Sequence, residues 1–126
     1  MNQINKISVE PDSSLEWVEV CPASEINVED VRRFDYGSST FAIYRIEDGY
    51  HASDGWCTHE NAHLADGLVL DDVIECPLHN GRFHIPTGEA LNPPVCINLK
   101  TYPVRVDDGI LKLGLSLIGG RLVSLK

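Results

Sequence analysis

Apolar and polar side chains alternate along much of this chain with a period of two, as in strands that have one dry and one wet face. Leu15 to Val20 alternates around Trp17, and Val31 to Tyr36 mixes apolar with charged residues, so both read as strands. Phe41 to Ile46, FAIYRI, is rich in β-branched and aromatic residues. It stops at Asp48-Gly49 and resumes with Tyr50 and His51, which predicts a hairpin. Tyr102 to Val106 and Ile110 to Leu113 flank Asp107-Asp108-Gly109 in the same way. Leu115 to Leu125 carries two apolar runs around Gly119-Gly120, which suits a last hairpin that either packs on the body or pairs with another chain. One segment departs from this pattern: Ser24 to Arg33, SEINVEDVRR, suggests a helical turn, with Glu29-Asp30 as first-turn acids.

Between the β-rich ends, Gly55 to Val95 holds four of the five His, two of the four Cys and several Pro and Gly, and reads as an insert of loops. The expected architecture is therefore antiparallel all-β. A basal β-sandwich or barrel would come from residues of about 15–54 and 96–113, with a subdomain inserted at about 55–95 and an extension at 114–126.

Composition narrows the function classes. The chain has 126 residues, enough for one domain with a real core, and is 43% hydrophobic and 23% charged. No stretch approaches the roughly 18 uninterrupted apolar residues of a membrane span. Nineteen acidic against ten basic side chains give a formal charge of -9, which repels phosphate backbones and anionic membrane surfaces, so neither is an expected partner. The opening residues, MNQINKISVEPDSS, lack the apolar block of about 7 to 15 residues that a secretory signal needs, and a cytoplasmic location is expected. In a reducing compartment, cysteines serve as metal ligands or buried thiols more readily than as disulfides.

Two short motifs use them. Cys57-Thr58-His59 and Cys76-Pro77-Leu78-His79 each offer one sulfur and one nitrogen. A zinc finger of the Cys2His2 type keeps its cysteines together in one knuckle and its histidines on a following helix. Here the donor types are interleaved, so two tight loops can place both thiolates on one metal and both imidazoles on a second beside it. A binuclear iron-sulfur centre fits that arrangement.

These residues resemble the Rieske family, whose pattern is C-x-H, a spacer of this length, and C-x-x-H. The resemblance covers about Trp17 to Leu113 and is tightest at Trp56 to Phe83 and at Thr87 to Leu91, TGEAL. It implies one [2Fe-2S] cluster per chain, with Cys57 and Cys76 on the inner iron and His59 and His79 on the outer one. Two ferric ions, two sulfides and two thiolates sum to zero, and neutral imidazoles leave the oxidised site uncharged. An all-thiolate site would carry two more negative charges, which is why Rieske centres lie at roughly -150 to +300 mV against about -400 mV for plant-type ferredoxins. Respiratory-chain Rieske proteins resemble the pattern but add a disulfide and two hydroxyl donors to the cluster sulfurs. The corresponding positions here are Ala62, Leu78, Gly81 and Phe83, none of which can supply either, so a potential low in the window is expected.

The resemblance is to the ferredoxin components of bacterial ring-hydroxylating oxygenase systems. It implies an electron carrier without a catalytic site, taking one electron from a flavin-dependent reductase and passing it to a terminal oxygenase that attacks aromatic rings. Acidic residues such as Glu60, Asp66 and Glu89 would steer docking onto basic patches. Two other readings compete: a Rieske small subunit of a larger oxidoreductase such as an assimilatory nitrite reductase, and a zinc module that only binds. The remaining candidates have plain assignments. Cys21 and Cys96 read as buried thiols, His63 as exposed or supporting the ligands, and His51 as surface. Trp56 reads as packing around the cluster, and His84 stands where the related ferredoxins have Asp. Pro86 and Pro93-Pro94 would stiffen a loop over the cluster.

Overall fold

The computed structural model describes residues 15–59, 61–78, 80–93, 97–118 and 121–123. Its strands are β1 (Leu15–Pro22), β2 (Asp30–Tyr36), β3 (Ser39–Ile46), β4 (Gly49–Asp54), β5 (Leu68–Leu70), β6 (Val73–Glu75), β7 (Arg82–His84), β8 (Thr101–Tyr102), β9 (Val104–Asp107), β10 (Ile110–Ile118) and β11 (Arg121–Val123). Two 3-10 turns, Ala23–Glu25 and Leu64–Asp66, are the helical segments among the described residues, and no helix there is long and apolar enough to cross a membrane. The all-β expectation holds, with every pairing antiparallel.

Three sheets form. In the first, β10 is central: β1 lies along one edge, and β9 and β11 share the other. The second has the order β2-β3-β4-β8, and the third is the small meander β5-β6-β7. The run FAIYRI explains how they stack. As β3 it is buried on both faces, which is why it lacks the polar alternation of a half-wet strand. Phe41 and Ile43 face the first sheet, in a core with Val18, Ile26, Leu111, Leu113 and Leu115. Ala42, Tyr44 and Ile46 face the other way, into a second core with Leu64, Val69, Ile74, Phe83, Ile85 and both Cys57 and Cys76. Each fully buried aliphatic or aromatic side chain in these cores contributes about 1.5–3 kcal/mol. The buried Tyr44 hydroxyl is satisfied by Ser53 Oγ at 2.8 Å, and burial pushes its pKa up.

Several local expectations shift. The helical turn at Ser24–Arg33 shrinks to Ala23–Glu25, because Ile26 is already extended, with its side chain in the first core, and Glu29 turns the chain into β2 with φ of 65°. Burying Ile26 outweighs a weak helical preference. The β3–β4 hairpin turns on Glu47-Asp48, since Ile46 pairs with Gly49; the glycine instead opens β4 at φ 137°. The β9–β10 hairpin does use Asp108-Gly109, both at positive φ, as a type I′ turn requires. The stretch read as loops contains the third sheet, whose three-residue strands are too short for alternation to show. In the tail, β10 and β11 pair antiparallel with Ser116 opposite Val123, while Gly119-Gly120 and residues 124–126 of the expected hairpin lie outside the described residues.

Candidate metal centre

The two Cys motifs occupy loops of one design. The first follows β4: the isolated bridge Trp56–His63 brackets it, and the Cys57 N–H donates to the Ala62 carbonyl at 2.9 Å. The second sits in the β6–β7 hairpin: Glu75 pairs with Arg82 around it, and the Cys76 N–H donates to the Gly81 carbonyl at 2.7 Å. Each loop is closed by a main-chain bond from its first residue to its sixth.

Cys57 is 7% exposed and Cys76 1%, and both belong to the core under β3. Cys21, Cys57 and Cys76 form no disulfide with one another. His59 is exposed at the outer side of its loop, whereas His79 lies outside the described residues. Two sulfur donors inside and an imidazole outside suit a diiron unit with one protected and one accessible end. A two-iron group separates its thiolates from its imidazoles, so the donor set fits it. Buried thiolates need positive charge beside them, which ferric iron would supply.

The loops are braced from below. Phe83 is fully buried in the same core and bridges Ala90. The TGEAL segment is tied to β7 by Gly88 N–H to the His84 carbonyl, His84 N–H to the Glu89 carbonyl and Leu91 N–H to the Arg82 carbonyl, at 2.7, 2.8 and 2.9 Å. Gly88 has φ of 79°, and a Cβ there would sit 2.3 Å from the Leu99 carbonyl oxygen, so glycine is required twice over. Thr58 Oγ1 donates to the Ile97 carbonyl at 2.7 Å, anchoring the first loop to the chain that returns to β8.

Other expected residues divide as follows. His63 is not exposed: it is 3% accessible and hydrogen-bonded at both ring nitrogens. Trp56 is 46% exposed, so it does not seal the site; its ring meets the His63 ring edge-on at 5.2 Å and carries the Arg33 guanidinium at 5.7 Å. His51 is half-buried and bonds Asp48 Oδ1 at 2.8 Å. His84 bonds Asp72 Oδ2 at 3.0 Å and Thr87 Oγ1 at 2.9 Å, so a ring holds this position between β6's turn and the TGEAL segment. Cys21 is a buried thiol as expected, and burial raises its pKa. Glu60, Pro94 and Cys96 lie outside the described residues; Asp66, Glu89 and Pro93 are exposed. Thr40 and Asp35, which continue the His63 contacts, carried no signal in the sequence because they are distant from the motifs along the chain.

A centre with two interleaved Cys/His loops on a three-sheet antiparallel body defines a class, and the family model for the Rieske [2Fe-2S] domain matches residues 16–103: the chain belongs to that family. A [2Fe-2S] cluster is accordingly its cofactor. Over 103 residues the chain is 39% identical to the ferredoxin component of the naphthalene 1,2-dioxygenase system of Pseudomonas putida, covering 82% of this chain and 99% of that one. It is similar in fold to a chain in the complex of reduced oxygenase and oxidized ferredoxin in carbazole 1,9a-dioxygenase, with TM-score 0.74, 36% identity and coverage of 77% and 91%. The Sphingomonas yanoikuyae B1 ferredoxin is similar too, with TM-score 0.74, 32% identity and coverage of 78% and 97%.

Proposed function

We propose that this chain is a one-electron carrier that takes electrons from a flavin-dependent reductase and delivers them to the terminal component of a ring-hydroxylating oxygenase acting on aromatic compounds. The observation that carries this reading is the pair of matched six-residue loops with buried thiols, in a Rieske domain similar over 103 residues to a dioxygenase ferredoxin component. When bound, the cluster supplies a reversible one-electron site. Cys57 and Cys76 would hold it on the buried side, and His59 with His79 would hold its other end and offer an imidazole edge to the partner. Burial of the thiols excludes water from the sulfur end, and the exposed His59 shortens the path for the electron. The work of the chain is transfer rather than substrate chemistry.

The division into a body at 15–54 and 96–113, a metal-binding insert at 55–95 and an extension at 114–126 belongs to this reading, with the extension continuous with the body through β10. A cytoplasmic location belongs to it as well, since a reducing compartment keeps ligand thiols available. The test is to purify the protein aerobically and measure iron, sulfide, visible and EPR spectra for wild type, Cys57→Ser and Cys76→Ser, then follow reduction by NADH through a ferredoxin reductase and turnover of a partner oxygenase. A red-brown protein with two irons per chain, reduced in this way and silent in both variants, is expected. A single zinc ion, or variants that keep the cluster, would sink the assignment.

A further inference from the structure

Cys57 and Cys76 hang from different sheets: the first loop leaves β4 of the second sheet, and the second leaves β6 of the small one. A group held jointly by both loops needs those sheets in fixed register. The second loop is braced in its own hairpin, where Arg82 Nε also donates to Glu75 Oε2 at 3.1 Å. The first loop closes on the isolated Trp56–His63 bridge instead, so its position depends on what holds His63.

We propose that His63 is a positioning residue that clasps the first ligand loop to β3 through Thr40, setting Cys57 and His59 relative to Cys76; this rests on the ligand assignment above. The buried ring has one compatible arrangement of protons. The Ala65 N–H donates to Nδ1 at 3.0 Å, so Nδ1 is bare and the neutral ring carries its proton on Nε2. Nε2 lies 2.9 Å from Thr40 Oγ1 and donates to it, and that hydroxyl donates onward to Asp35 Oδ1, which also accepts from Arg33 Nε at 3.0 Å. The main chain repeats the connection: Gly55 N–H donates to the Thr40 carbonyl at 3.0 Å, and Leu64 N–H to the Gly55 carbonyl at 2.8 Å. The imidazole fills the space where a Cβ on Gly55 would stand, 2.4 Å from Nε2. Loop, glycine, ring and strand thus lock into one another.

The experiment compares wild type, Thr40→Val, Thr40→Ser, His63→Asn and the double variant Thr40→Val/His63→Asn, all as cluster-containing protein. Asn keeps an acceptor near Nδ1 but is too short to reach Thr40. The readouts are the EPR g-values and linewidths of the reduced protein and the lifetime of the visible absorbance with a chelator present. Losing one buried hydrogen bond should shorten that lifetime about fivefold and broaden the EPR lines in Thr40→Val and in His63→Asn. The double variant should be no worse than either single one, and Thr40→Ser should match wild type. Wild-type lifetimes and spectra in both single variants would overturn the proposal, as would effects that multiply in the double variant. If His63→Asn fails to fold, Thr40→Val decides alone. Wild-type protein lacking an iron-sulfur cluster would refute the ligand assignment itself, which separates the two failures.

Discussion

Replacing Gly55 by Ala introduces one methyl group against the His63 ring, just before the first loop. That methyl would stand 2.4, 2.9 and 3.2 Å from Nε2, Cε1 and Cδ2 of His63. Carbon contacts settle at about 3.5–4 Å, so the ring must retreat by roughly 1 Å. Its bond to Thr40, 2.9 Å long, then stretches out of reach. Overpacking costs about 1–3 kcal/mol and a buried polar group left unpaired about 1–3 kcal/mol, while the stiffer unfolded chain returns about 0.4–1 kcal/mol. The net loss is about 1–6 kcal/mol, centred near 3 kcal/mol, out of a total stability of order 5–15 kcal/mol. Urea unfolding of the cluster-containing protein, followed by visible absorbance and by tryptophan fluorescence, measures it. Because the obstacle is a side chain, Gly55→Ala/His63→Ser should recover at least about 1 kcal/mol relative to the sum of the single changes. A Gly55→Ala variant within about 0.5 kcal/mol of wild type, or a double variant that is merely additive, would refute the reasoning.

Gly88→Ala meets main chain first, 2.3 Å from the Leu99 oxygen, with Thr101 Cγ2 next at 3.0 Å and φ at 79°, so urea unfolding should show a loss of about 3 kcal/mol that trimming a neighbouring side chain does not fully relieve. Burial, and next the charge of Arg33, hold the His63 pKa below its ordinary 6.5. The unfolded chain therefore binds this proton more readily, and stability falls as pH drops below about 6.5 toward the folded-state pKa. Urea midpoints between pH 7.5 and 5.0 should show that slope in wild type and a flatter one in His63→Gln; equal slopes would contradict it. With no hydroxyl at Ala62, Leu78, Gly81 or Phe83, an EPR-monitored redox titration should give a midpoint below about +100 mV, and a higher value would show that other donors stabilise the reduced state.

The two loops that carry the proposed ligands were legible because ligand chemistry is local: a thiol and an imidazole two or three residues apart must sit on one turn, and the structure shows each cysteine opening such a loop. The hairpin at Asp108-Gly109 was legible because both residues suit the positive φ they adopt, the one at Glu47-Asp48 slipped by one position because Gly49 serves the strand instead, and the β2–β3 turn at Gly37 went unread although its φ is 61°. The small sheet stayed hidden because three-residue strands carry no period. His63 was hardest to place, since a histidine in a ligand-rich loop reads as spare or exposed until the fold brings Thr40 and Gly55 against it. Neither partner lies near it along the chain, and a hydroxyl on a strand has no signature of its own.

Both ligand loops are sealed by peptide groups, Cys57 to Ala62 and Cys76 to Gly81, which makes no demand on the identity of residues at the rim such as Asn61 and Leu78. Side-chain changes at those rim positions therefore leave the main-chain closure of both loops in place. A docking surface built from such positions can in this way be altered, a few surface letters at a time, without reopening either loop.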